Sequence, residues 1–93
     1  MPIQGSSVFS LVSYLDHVTI DLDQPVPPYR QLAAILRGKI ASGELSGRLP
    51  SEKTLMQEYG LAHGTVRKAV ALLRDEGLVQ TTPGWGSYVI AAP

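Results

Sequence analysis

RLPSEKTLMQEYGLAHGTVRKAVALLRDEGLVQTTPGWGSYV, the stretch from Arg48 to Val89, decides how this chain folds. Ser51 directly follows Pro50 and is a good N-cap, and Glu52 sits favourably in the first turn against the helix dipole. A helix from Ser51 to Tyr59 is therefore predicted, with Leu55, Met56 and Tyr59 as its apolar contacts and Gly60 as its stop. Leu61 and Ala62 make a turn. A further helix then runs from Gly64 to Glu76 and ends at Gly77. At 100° per residue it gathers Val66, Ala69, Val70 and Leu73 on one face and Gly64, Lys68, Ala71 and Asp75 opposite, with Thr65 and Arg67 on the flanks. Leu78–Thr81 and Ser87–Ile90 read as two strands joined through TPGWG. Two short helices around a tight turn, then a glycine-tipped hairpin, is the layout of a winged helix-turn-helix.

Working outward, Pro25, Pro27 and Pro28 form a stiff connector, and Pro28 suits the first turn of a helix. That helix is predicted from Pro28 to Ser42, with Leu32, Ile35, Leu36 and Ile40 on one face and Gly43 ending it. ELSGRLP, up to Pro50, is a connector. Before the prolines, Val8, Leu11, Val12, Leu15 and Val18 fall at helical spacing, VTIDLDQ alternates like a short strand, and residues 1–7 are polar and expected to be disordered. The predicted fold is mainly α with a small β-hairpin, a three-helix core plus a wing. It divides into a partly flexible amino-terminal extension, residues 1–24, and a winged-helix domain, residues 25–91.

Ninety-three residues suffice for one small domain with a single core. No apolar run approaches the roughly 20 residues of a membrane span, and the apolar patch near the start has no preceding Lys or Arg to suggest a secretory signal. The absence of cysteine rules out disulfides and thiolate metal sites and accords with a cytoplasmic location. An enzyme is a poor fit. His17 and His63 are the only histidines, and no carboxylate pair or phosphate-cradling glycine loop stands in a plausible site. No cofactor is expected.

A formal net charge of zero argues at first against a nucleic-acid partner. The distribution reverses this. All eight basic residues lie between Arg30 and Arg74, a window whose only acids are the three residues Glu44, Glu52 and Glu58, so eight minus three leaves it at +5. The balancing acids lie outside it. Within the window, the start of the last helix groups His63, Gly64, Thr65, Arg67 and Lys68. This set can supply a base-edge donor, a close backbone approach, a hydroxyl and two phosphate-reaching cations. The competing reading is the solvated face of an amphipathic helix.

The residues also resemble a known family, the GntR-type bacterial transcription regulators. The resemblance covers Val26 to Ile90 and rests on PPYRQLAAILRGKIASGEL, RLPSEKTL, GTVRKAVALLRDEGLV and GWGSYV in that order. It implies a winged-helix domain that binds palindromic double-stranded operator DNA as a homodimer, most often as a repressor released by a small effector. Carried over by position, it implies that Arg48 and Ser51 contact the DNA backbone and that Lys53 is a basic DNA contact. It makes Thr65 and Arg67 recognition-helix residues, and Gly84 and Gly86 wing residues. Ala62, His63 and Gly64 depart from the family's common Ser-Arg-Thr. Ala62 forfeits a side-chain cap worth roughly 1 kcal/mol, and His63 replaces a permanent cation with a ring that is mostly neutral at pH 7. His63 can equally be a turn residue that hydrogen-bonds locally. Trp85 stands where the wing often carries a basic residue, and it can stack on the sugar-phosphate edge, pack under the wing or mark a protein contact. Tyr29 and Tyr59 read as core or interface aromatics. A protein-interaction module without DNA binding is the alternative function.

In this family an effector-binding and dimerising domain normally follows the wing, and no effector site is expected within these residues. The spacing between Val8 and Val18 suggests that the amino-terminal extension supplies a dimer contact instead. Deleting residues 1–18 is expected to convert a dimer to a monomer by solution mass. An unchanged dimer, or a monomeric full chain, would refute the arm.

Overall fold

The computed structural model describes residues 19–90. The helical spacing from Val8 to Val18, the expected disorder of residues 1–7 and the proposed dimer arm lie outside them. Three helices come first: α1 over Pro28–Ser42, α2 over Glu52–Tyr59 and α3 over His63–Asp75. An antiparallel hairpin follows, with β1 over Val79–Thr82 and β2 over Gly86–Val89.

The ends of the helices follow from local chemistry. Pro28 occupies the first turn of α1, where its missing N–H costs nothing. Ser51 caps α2 by accepting from the Thr54 N–H at 3.1 Å. At the far end of α2, Gly60 takes a left-handed φ of 66° and the Leu61 N–H reaches back to the Met56 carbonyl. The same closure ends α3. Gly77, at φ 79°, donates to Arg74 O while Leu78 N–H donates to Leu73 O, the paired bonds of a Schellman motif.

The core is the meeting of two apolar stripes. Leu32, Ala33, Leu36 and Ile40 of α1 face Val66, Ala69, Val70 and Leu73 of α3, and Leu49, Leu55, Leu78 and Val79 close the edges. No polar or charged residue is buried among the described residues. Ile35 is only half-buried. Beside this core, Arg37 grips Glu76 through two parallel bonds, Nε to Oε1 at 2.8 Å and Nη2 to Oε2 at 2.7 Å, tying α1 to the exit of α3.

Three features differ from expectation. The alternating VTIDLDQ forms no strand over residues 19–24. Asp21 Oδ1 accepts from Asp23 N–H, Gln24 N–H closes a turn onto Asp21 O, and the Gln31 side chain takes up the Asp21 backbone on both sides. Leu22 stays 76% exposed, so no burial rewards the alternation. Second, both hairpin strands sit one residue nearer the tip than predicted. Leu78 spends its N–H on the α3 cap, and Gly86 pairs with Thr82. Third, the connector is not free. Leu49 N–H donates to Ser87 O at 2.8 Å, Val89 N–H donates to Gly47 O at 2.7 Å, and Arg48 bridges Tyr88, so residues 47–49 lie along the outer edge of β2. This covers an edge that would otherwise stay unpaired.

Arg37 holds the Glu76 carboxyl below its usual range, chiefly through the hydrogen bond. A carboxyl whose folded value is depressed adds stability that is present above the unfolded value and lost as pH falls through the folded one. Glu76→Gln should therefore lower the urea midpoint at pH 7 and narrow its gap to wild type as pH falls below about 4. A gap unchanged down to pH 2 would contradict this.

Candidate nucleic-acid interface

The exposed residues singled out from sequence gather in three places. At the start of α2, Ser51 is fixed by its cap, its Oγ also 3.0 Å from Thr54 Oγ1. Lys53, two residues on, is exposed and has no ion-pair partner among the described residues. Arg48 sits just before, and its guanidinium lies against the backbone of Gly86. A Cβ built at Gly86 would stand 3.5 Å from Arg48 Nε. Arg48, Ser51, Glu52, Gly86 and Ser87 thus share one cleft of about 260 Å³ between the foot of α2 and the wing.

The second group is the first turn of α3. His63 begins the helix, one residue earlier than predicted, and its Nε2 lies 2.7 Å from Glu52 Oε1. Arg67, one turn on, keeps a two-thirds exposed side chain with Nε 3.8 Å from Glu52 Oε2. One carboxylate of α2 therefore lies beside both His63 and Arg67 of α3. The partner of His63 is eleven residues away and not local, as the turn reading supposed. Gly64 is open, with nothing within 4 Å of a Cβ there, and Thr65 is half-buried. Ala62, as expected, makes no side-chain cap, so the first amides of α3 lack that partner. Lys68 also meets α1. Its Nζ sits 4.8 Å from the ring centroid of Tyr29 on α1, and Arg30 lies over the same ring at 5.8 Å. Arg30 Nε also donates to Tyr29 Oη, which holds that hydroxyl below its ordinary value.

The third place is the tip of the wing. Trp85 N–H donates to Thr82 O at 2.9 Å around Pro83 and Gly84, the latter at φ 80°. Proline second and a positive-φ glycine third make a type II turn. Gly86 follows at φ 104°. Trp85 is 61% exposed, so it does not pack under the wing.

Two participants were not assigned these roles from sequence. Glu52 registered only as a favourable first-turn acid, because its partners come from another helix. Tyr29 registered as a core or interface aromatic, yet it is half-buried and carries two cations. The hint for each was an unlike residue among basic neighbours.

A side chain at Gly86 must adopt a backbone angle that L residues rarely take. Gly86→Ala should cost about 1–3 kcal/mol in urea denaturation, and a loss near zero would refute the turn geometry.

The family model for "Bacterial regulatory proteins, gntR family" matches residues 28–89. The mannosyl-D-glycerate transport/metabolism system repressor MngR of Escherichia coli (strain K12) is 40% identical over 65 residues, covering 68% of this chain and 27% of that protein. The HTH-type transcriptional repressor NagR of Bacillus subtilis (strain 168) is 35% identical over 74 residues, covering 77% and 30%. The chain thus spans about a quarter to a third of the length of these curated relatives. Among solved structures, YtrA of Sulfolobus acidocaldarius, a GntR-family transcription factor, superposes with a TM-score of 0.71 at 35% identity, over 82% of this chain and 81% of that one. The DNA-binding domain of AraR in complex with operator ORX1 superposes with a TM-score of 0.70 at 29% identity, over 76% and 94%. With three helices and a two-stranded wing in the same arrangement, this chain belongs to the GntR family of bacterial regulatory proteins.

Proposed function

We propose that this chain is a sequence-specific DNA-binding domain of a transcription regulator. The observation that carries the reading is the convergence of Arg48, Ser51, Lys53, His63 and Arg67 around one exposed corner of α2 and α3, with the wing continuing from it. A second helix with a small, open first turn fits the major groove, and its uncapped amides face outward toward anionic phosphates. In this reading His63, Gly64, Thr65 and Arg67 meet base edges. Arg48, Ser51, Lys53 and Lys68 meet the backbone, and Gly84, Trp85 and Gly86 carry the wing against the adjacent groove. Support comes from the AraR domain, a structural neighbour solved on its operator.

The finer reading is a homodimer on a palindromic operator, acting as a repressor. MngR and NagR are both named as repressors, which supports it. Two-fold symmetry in the protein would require matching half-sites in the DNA. The amino-terminal extension remains our proposed dimer arm. The competing module that docks proteins draws on one observation, the exposed Trp85 on an uncharged wing.

Selection of duplexes from a random pool by the full chain, followed by titration against salt, tests the reading. Arg67→Ala should lower affinity for the selected duplex at least tenfold and shrink its margin over unselected DNA, the behaviour of a base-edge contact. Lys53→Ala should weaken selected and unselected duplexes alike and reduce the salt slope by about 0.9, one phosphate contact. Enrichment of no sequence at all would overturn DNA recognition.

A further inference from the structure

Arg74 stands in the last turn of α3, where a basic side chain suits the negative end of the helix dipole. Its guanidinium also leaves the helix. Nη1 donates to Thr81 Oγ1 on β1 at 2.8 Å, and Thr81 Oγ1 lies 2.8 Å from the Oγ of Ser87, its directly opposed partner on β2. A guanidinium can only donate, so the Thr81 oxygen accepts from Arg74 and can give its own proton to Ser87. The Ser87 carbonyl in turn accepts from Leu49 N–H at 2.8 Å. Leu49 is buried in the core and stands two residues before Ser51, the cap of α2. One line of hydrogen bonds therefore crosses the wing, from the end of α3 to the entry of α2.

A two-stranded hairpin is marginal in water without further support. Here Val79 and Val89 fasten the base of the wing, the first buried and the second packed against the core. Beyond them Gln80, Thr82 and the turn are exposed, so apolar burial does not hold the outer half. Thr81 and Ser87 are the next pair on the same inner face as the two valines. They lie one pair short of Thr82 and Gly86, where the turn begins. A bracket at that level holds the tip. Arg74 itself stands about 16 Å along the helix from His63, at 1.5 Å per residue, well away from the first turn of α3.

We propose that Arg74 is a positioning residue for DNA recognition: through Thr81 and Ser87 it holds the wing at a set distance from α3. The inference rests on the DNA-binding reading above and adds what keeps the two DNA-facing parts in register. A duplex fixes the spacing from one groove to the next. A wing already held at that spacing has less freedom to lose on binding than one that swings about its base.

Binding of the full chain to a duplex selected from the random pool, at several salt concentrations, tests this together with amide exchange of the free protein. Thr81→Val removes the hydroxyl at nearly constant shape, and Arg74→Ala removes the donor. Each should weaken binding about three- to tenfold, the range of one hydrogen bond, and the double variant should bind like either single one. Thr81→Ser should bind as wild type, and the slope of log K against log salt should stay unchanged throughout. Exchange at the Leu49 amide should quicken in both single variants while that of Val70 in α3 holds. An Arg74→Ala slope shallower by about 0.9 makes Arg74 a phosphate contact and overturns the bracket. Losses that add in the double variant, or wild-type binding by both single variants, also overturn it while DNA recognition stands. A pool that yields no bound duplex removes both the bracket and the function on which it rests.

Discussion

The stripe Val66, Ala69, Val70 and Leu73 on α3 is the constraint from which the rest of the structure follows. Buried against Leu32, Ala33, Leu36 and Ile40 of α1, it fixes the rotation of α3 about its own axis. Once that face is inward, the position of every other residue of the helix is settled by the 3.6-residue repeat. Gly64 and Arg67 come out exposed because Val66 and Val70 cannot. Moving one of the apolar positions by a residue would turn the exposed face through about 100° and dismantle the corner shared with α2.

Charge in this domain is largely committed inside the protein. Arg37 is engaged by Glu76, Lys39 by the Tyr59 hydroxyl and Glu44, and Lys68 by the face of Tyr29. The window that sums to +5 in sequence therefore overstates what is free to meet a partner. Arg48, Lys53 and Arg67 stand exposed around the corner where the start of α2 meets the first turn of α3. A zero net charge and a local basic corner are compatible because Glu76 and Glu44 pair away from it, while Glu52 stands within it. Exposed pairs of this kind contribute little to stability, and their larger effect is on where positive potential survives.

The helices and their stops were legible in the sequence because each is written locally: a proline or serine at the start, a glycine at the end, an apolar stripe between. The winged layout and the glycines at 84 and 86 were legible for the same reason. What escaped was non-local. VTIDLDQ alternates like a strand but pairs with no strand among the described residues, and Gln31 from the following helix claims the Asp21 backbone. Residues 47–49 looked like a loop because nothing in GRL announces that Leu49 will donate to Ser87 and Gly47 accept from Val89 along the edge of β2. The link from Glu52 to His63 and Arg67 requires two helices to be placed first. Trp85 was legible as an anomaly, and the structure removed one of its three readings by leaving it exposed.

Ala62 and Glu52 together give the first turn of α3 an unusual anchorage. Ser51 locks α2 with a bond inside its own turn, whereas α3 starts without such a lock and is steadied by a carboxylate from another helix. In the DNA-bound state proposed above, His63 and Arg67 would have to leave that carboxylate to reach a base. Glu52 would then lose both of its partners. Glu52 and DNA would thus compete for the same two side chains.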